Sequence, residues 1–101
     1  MSNGTIYTYV MRDTECKGLS CKLGRTGNTR KRLASLRYMT GRPELVYLYV
    51  WKGDYEKHLK RLCDRWSEQY EYRVRFGEWF IPFSDVLSDI AQSMFMPNLI
   101  S

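Results

Sequence analysis

The sequence predicts a small α+β domain, a three-stranded antiparallel sheet flanked by helices. Three observations lead to that class. Apolar residues alternate in some segments and recur at helical spacing in others. Capping residues, glycines and prolines stand where one pattern gives way to the next. At 101 residues, 44% of them apolar, the chain can enclose one core and not two.

The elements follow in order. TIYTYVM (5–11) alternates and is rich in β-branched and aromatic residues, which predicts a strand. The polar stretch from Arg12 to Ser20 reads as a hairpin loop, and CKLGRT (21–26) as the return strand, with Gly24 marking a bulge or a close backbone approach. Asn28 or Thr29 can cap a helix running to about Met39, which Gly41 and Pro43 stop. ELVYLYVW (44–51) is a third strand, and its nearly unbroken apolar run predicts a central position. Gly53 turns the chain, and Asp54 is placed to cap a helix with Tyr55, Leu59, Leu62, Cys63 and Trp66 on one face. YEYRVRFGEWF (70–80) favours a strand or an extended loop. A last helix, about 84–96, carries Val86, Leu87, Ile90, Ala91, Met94 and Phe95 as a core stripe; if exposed, the same stripe would dock a protein partner or a second copy.

Several function classes drop out on composition. No apolar run approaches the roughly 18–20 residues of a membrane span. The start MSNGTIY has no signal-peptide pattern, and Ser2 excludes myristoylation, so a cytoplasmic protein is expected, in the host cytoplasm if the chain is viral. Cys16, Cys21, Cys63 and His58 could form a zinc set only at spacings unlike the familiar knuckles, which favours free thiols. Net charge is +5, and it is unevenly placed. Lys22, Arg25, Arg30, Lys31, Arg32, Arg37 and Arg42 fall in a run without an acid, whereas the chain from Asp85 onward has two acids and no base. A polyanion such as a nucleic acid is the natural partner of such a field, and a merely solubilising charge cluster is the alternative.

A series of short motifs adds chemistry to that charge. Thr5-Ile6-Tyr7 and Lys22-Leu23-Gly24 stand on the two hairpin strands, Arg32 on the helix after them and Glu56 on the next helix. Gly77-Glu78-Trp79-Phe80 closes the series. In these motifs, over residues 4–82, the chain resembles the GIY-YIG nuclease superfamily, and within it a compact phage-type branch with a KIG-like second motif and a GEWF ending. It departs from the superfamily in a longer spacer between the first two motifs and in a first glycine displaced to Gly4. Lys22 takes the place of the second tyrosine, and Lys60 stands where the branch often has histidine.

The resemblance implies a metal-dependent endonuclease that cuts DNA, with RNA as the alternative, using Mg2+ or Mn2+. Glu56 would hold the ion and Arg32 would clamp the scissile phosphate, its planar fork presenting paired donors. Tyr7 would act on the attacking water as base or orienting group. An ordinary tyrosine is ionised only about one part in a thousand at pH 7, and Lys22 on the partner strand would help electrostatically. Arg25, Arg30, Lys31, Arg37 and Arg42 are candidate phosphate contacts, with Gly24 and Glu78 supporting the site. Two other readings stay open on the same residues: a catalytically inactive nucleic-acid-binding module, and a protein-binding inhibitor or adaptor on a nuclease scaffold.

Overall fold

The computed structural model describes residues 4–95. Strands β1 (Tyr7–Asp13) and β2 (Cys21–Thr26) form the expected hairpin, followed by helix α1 (Thr29–Thr40), strand β3 (Leu45–Lys52) and helix α2 (Glu56–Tyr70). Two short strands, β4 (Arg75–Phe76) and β5 (Trp79–Phe80), precede helix α3 (Ser84–Phe95). The fold is α+β as predicted, but the sheet has five antiparallel strands, in the order β3-β1-β2-β5-β4, rather than three. Two-residue strands are too short to show alternation, so the sequence leaves them as extended chain. Gly77, at φ 65°, makes the turn between them, where a side chain would be strained. The Leu23 N–H donates to the Glu78 carbonyl at 2.8 Å, which fastens the turn to β2.

The central strand is β1, hydrogen-bonded on both sides, not β3. β3 lies at the edge. Its inward residues, Leu45, Tyr47, Tyr49 and Trp51, pack on the core, while Val46, Leu48 and Val50 stay about 40%, 37% and 42% exposed. Its apolar run therefore reflects an aliphatic outer face, not burial on both sides.

Helices cover both faces of the sheet. On one, Val10, Cys21, Leu23 and Phe80 pack with Leu59, Leu62 and Cys63 of α2 and Val86, Ile90 and Met94 of α3. On the other, Tyr9, Met11 and Leu45 pack with Leu36 of α1. The α3 stripe is thus core, and Val86, Ile90 and Met94 offer no docking surface; residue 96 and the Phe95 side chain lie outside the described part of the chain. Cys21 and Cys63 are buried in this core, where burial raises both thiols to about 12, and Cys16 lies apart in the β1–β2 loop. Among the described residues no helix is long and apolar enough to cross a membrane.

The helix ends place the charged side chains. Asn28 caps α1 as its sequence suggests, accepting the Lys31 N–H at 3.0 Å, and Gly41 closes the helix at φ 67°. Asp54 does not cap α2. Its carboxylate pairs with Arg25, and the cap position falls to Tyr55, which makes no side-chain cap bond. The buried Thr8 hydroxyl does the tethering, accepting the Tyr55 N–H at 2.8 Å and donating to the Gly53 carbonyl at 2.6 Å. Strand β1 thereby holds the residue next to Glu56.

Candidate active site

Residues far apart in sequence meet in a cleft of about 440 Å³ on the α1 side of the sheet. The hairpin contributes Tyr9, Lys22, Gly24 and Arg25; α1 contributes Arg32, Leu36 and Met39; the first turn of α2 brings Glu56 and the β4–β5 turn brings Glu78. Of the residues singled out in the sequence, six therefore share one cavity: Lys22, Gly24, Arg25, Arg32, Glu56 and Glu78.

The phenol in that cavity belongs to Tyr9. Tyr7 pairs with Thr26 at the outer end of β1 and is not among the lining residues. Both tyrosines lie on the same face of β1, two residues apart, so alternation alone cannot choose between them. Register decides: Tyr9 stands opposite Gly24, and a Cβ at residue 24 would overlap the Tyr9 ring and hydroxyl. Gly24 is the gap that admits the phenol, and it is the one clue to Tyr9 that the sequence holds.

Burial raises the Tyr9 hydroxyl to about 12, against a lowering by Arg32 and with smaller increases from Tyr47, Glu78 and Glu56. The lowering by Arg32 is thus outweighed by burial in this phenol. At about pH 7 it is neutral in all but about one molecule in 10⁵, so it can donate or accept a hydrogen bond but makes a poor base.

The charges form a chain across the cleft. Lys22 Nζ lies 2.7 Å from Glu78 Oε2, Lys60 Nζ lies 3.9 Å from Glu78 Oε1, and Lys60 Nζ lies 3.5 Å from Glu56 Oε1. Burial works against the Glu78 anion, but the Lys22 hydrogen bond and charge outweigh it, aided by Lys60 and Arg32, and hold the carboxyl below its ordinary range. Lys22 also sits 5.4 Å above the Trp79 ring. Its ammonium is therefore held by two residues of the closing motif. Arg32 differs from its neighbours: its guanidinium has no hydrogen bond or ion pair among the described residues, and it lies where this cleft meets a second one lined by Thr26, Asn28, Lys31 and Ser35.

The other basic candidates separate into two groups. Lys31 borders the cleft through that second depression, and Arg30 is exposed on α1. Arg37 and Arg42 are not brought to it. Arg37 donates to the Leu45 carbonyl at 3.0 Å, and Arg42 donates to the Leu19 carbonyl at 3.2 Å and lies 4.1 Å over Trp79. Both fasten α1 and the loop after it to the rest of the fold.

The donor set suits a hard cation, because the carboxylates of Glu56 and Glu78 and the Tyr9 hydroxyl offer only oxygen. No three His, Cys, Asp or Glu side chains converge among the described residues. An ion on Glu56 would therefore complete its shell with water and a substrate phosphate, as Mg2+ commonly does. The residues fit such an ion on one condition: Lys60, which lies 3.5 Å from Glu56 and 3.9 Å from Glu78, must swing away from Glu56. His58, the possible zinc ligand, instead shares a hydrogen bond with Ser93 of α3.

The sequence profile of the T5orf172 domain matches residues 4–94. No curated protein and no solved structure is significantly similar to the chain. The T5orf172 domain is a phage-associated, nuclease-like domain related to GIY-YIG and HNH-type endonuclease folds. The match runs past the GEWF motif into α3, so the last helix is part of the domain and not an appendage. Covering nearly the whole chain, it shows that this protein belongs to the T5orf172 domain family.

Proposed function

We propose that the protein is a divalent-metal-dependent endonuclease that hydrolyses phosphodiester bonds of DNA. One observation carries the reading: a guanidinium with no partner among the described residues, a neutral phenol and two carboxylates converge in one open cleft, delivered by four different parts of a nuclease-like fold.

Arg32 clamps the scissile phosphate through its planar fork, and Lys31, joined by Arg25 once it leaves Asp54, holds the flanking phosphates. Tyr9, opposite Gly24, donates its hydroxyl proton in a hydrogen bond to a phosphate oxygen or orients the attacking water; it does not take the water's proton. Glu56 holds the metal ion, which when bound supplies an activated water and neutralises charge on the phosphate. The Lys22–Glu78 pair is neutral as a whole and holds both side chains in place in the cleft. Removal of one donor that meets developing charge lowers rates by about a hundred- to a thousandfold.

A DNA-binding module that does not cut is the second reading. Lys60 beside Glu56 and the raised Tyr9 hydroxyl both favour it. Supercoiled plasmid incubated with Mg2+ or Mn2+ separates the two, using wild type, Arg32→Ala and Glu56→Ala. Nicking by wild type alone supports the nuclease. Retarded but intact DNA supports the binding module, and equal nicking by all three proteins rejects the assigned site.

A further inference from the structure

Helix α2 carries a basic surface that lies outside the acid-free run of residues 22–42. Lys57, Arg61 and Arg65 recur at four-residue intervals, which aligns them along one side of the helix. All three are exposed, and none forms an ion pair among the described residues. Lys22, Arg25, Arg42, Lys60 and Arg75, by contrast, are each held by a carboxylate.

The stripe is joined to the candidate site. Lys57 and Arg61 line a neighbouring cleft of about 390 Å³ together with Arg25 and Glu56, and those last two residues also line the site itself. Of the nearby acids, Asp54 and Glu56 line that same neighbouring cleft and are paired with Arg25 and Lys60. Asp64 is held by Arg75 at 2.9 Å, while Asp89 and Asp85 of α3 accept hydrogen bonds from Trp66 and Tyr70. Glu68, beyond Arg65, marks the end of the stripe.

We infer that Lys57, Arg61 and Arg65 form a phosphate track that carries the DNA backbone from the rim of the cleft along α2. Eight residues of helix advance about 12 Å, the length of about three to four phosphate steps of one strand at about 3.4 Å of duplex axis each. Three separate monovalent charges in a row match a phosphate ladder better than they match a compact anion. The track touches the backbone, so it adds affinity without sequence preference. This inference rests on the DNA reading of the cleft and extends its surface to a second helix.

The test is fluorescence anisotropy with a short labelled DNA duplex, titrated between about 50 and 200 mM salt. Removing one cation that neutralises a phosphate lowers the slope of log K against log salt by about 0.9. Arg61→Ala/Arg65→Ala is therefore expected to reduce the slope by about 2 and to weaken binding roughly tenfold at intermediate salt. Arg61→Lys/Arg65→Lys keeps the charges and is expected to keep the wild-type slope. The inference is overturned if the alanine pair binds with the wild-type slope, or if the lysine pair loses as much as the alanine pair. A wild-type protein that fails to bind the duplex would overturn the DNA reading as well, whereas steep wild-type binding left unchanged in the alanine pair overturns the track alone.

Discussion

Thr8→Val isolates the tether that positions Glu56. Valine has nearly the shape of threonine, so the packing around this fully buried residue changes little, but the hydroxyl is gone. Two hydrogen bonds go with it: the 2.8 Å bond accepted from the Tyr55 N–H and the 2.6 Å bond donated to the Gly53 carbonyl. At about 0.5–1.5 kcal/mol net for each bond, the loss is about 1–3 kcal/mol. The exchange is not conservative, because α2 has no side-chain cap to replace the lost acceptor. For a domain of this size each kcal/mol lowers Tm by roughly 4–8 °C, so a fall of about 4–24 °C is expected in thermal denaturation followed by circular dichroism.

A second effect separates this role from generic core damage. Glu56 directly follows the tethered residue, and a misplacement of about 1 Å in a catalytic group can cost about a hundredfold in rate. Plasmid nicking, assayed well below the lowered Tm, is expected to drop steeply in Thr8→Val. Thr8→Ser keeps both hydrogen bonds and loses only a methyl group, so it is expected to lose some stability and keep its nicking activity. A wild-type Tm in Thr8→Val, or equal loss of nicking in the serine and valine variants, would refute the tether.

Tyr9→Phe removes the hydroxyl and leaves the ring in the gap over Gly24; it is expected to keep wild-type Tm and lower nicking about a hundredfold or more. The same change at Tyr7, outside the cleft, serves as the comparison, and equal losses in the two variants would contradict the assignment. The Glu78 carboxyl is depressed in the folded state, so its contribution to stability is present above the ordinary carboxylate range and is lost as pH falls through the folded value. Glu78→Gln is therefore expected to flatten the acid limb of a Tm-against-pH curve, and an unchanged limb would show that the Lys22 pair does not couple to folding. Lys60→Met removes the ammonium that faces Glu56 at 3.5 Å. Mn2+ binding followed by electron paramagnetic resonance is expected to tighten by about tenfold, a gain of about 1.4 kcal/mol, and unchanged or weaker binding would mean that Lys60 does not compete with the ion.

What the sequence disclosed depends on the range of the interaction behind each feature. The β1–β2 hairpin, the Asn28 cap, the Gly41 stop and the three helices rest on local pattern, and the structure has them at or near the expected positions. The edge position of β3 was hidden because an apolar run looks alike whether a second strand or solvent lies beside it. Asp54 had the composition of a cap, but Arg25, 29 residues earlier, holds its carboxylate in the folded chain. Tyr9 and Tyr7 alternate identically, and only the cross-strand pairing with Gly24 separates them. Lys60 was visible as a departure from a motif, yet its place between Glu56 and Glu78 needs a helix and a hairpin turn to come together. The individual chemical groups of the candidate site were therefore largely legible, but their pairing was not. The pairing changes the chemistry: Lys22 is committed to Glu78, the site's phenol is held neutral, and Arg32 remains the cation of the cleft with no partner among the described residues, available for a phosphate.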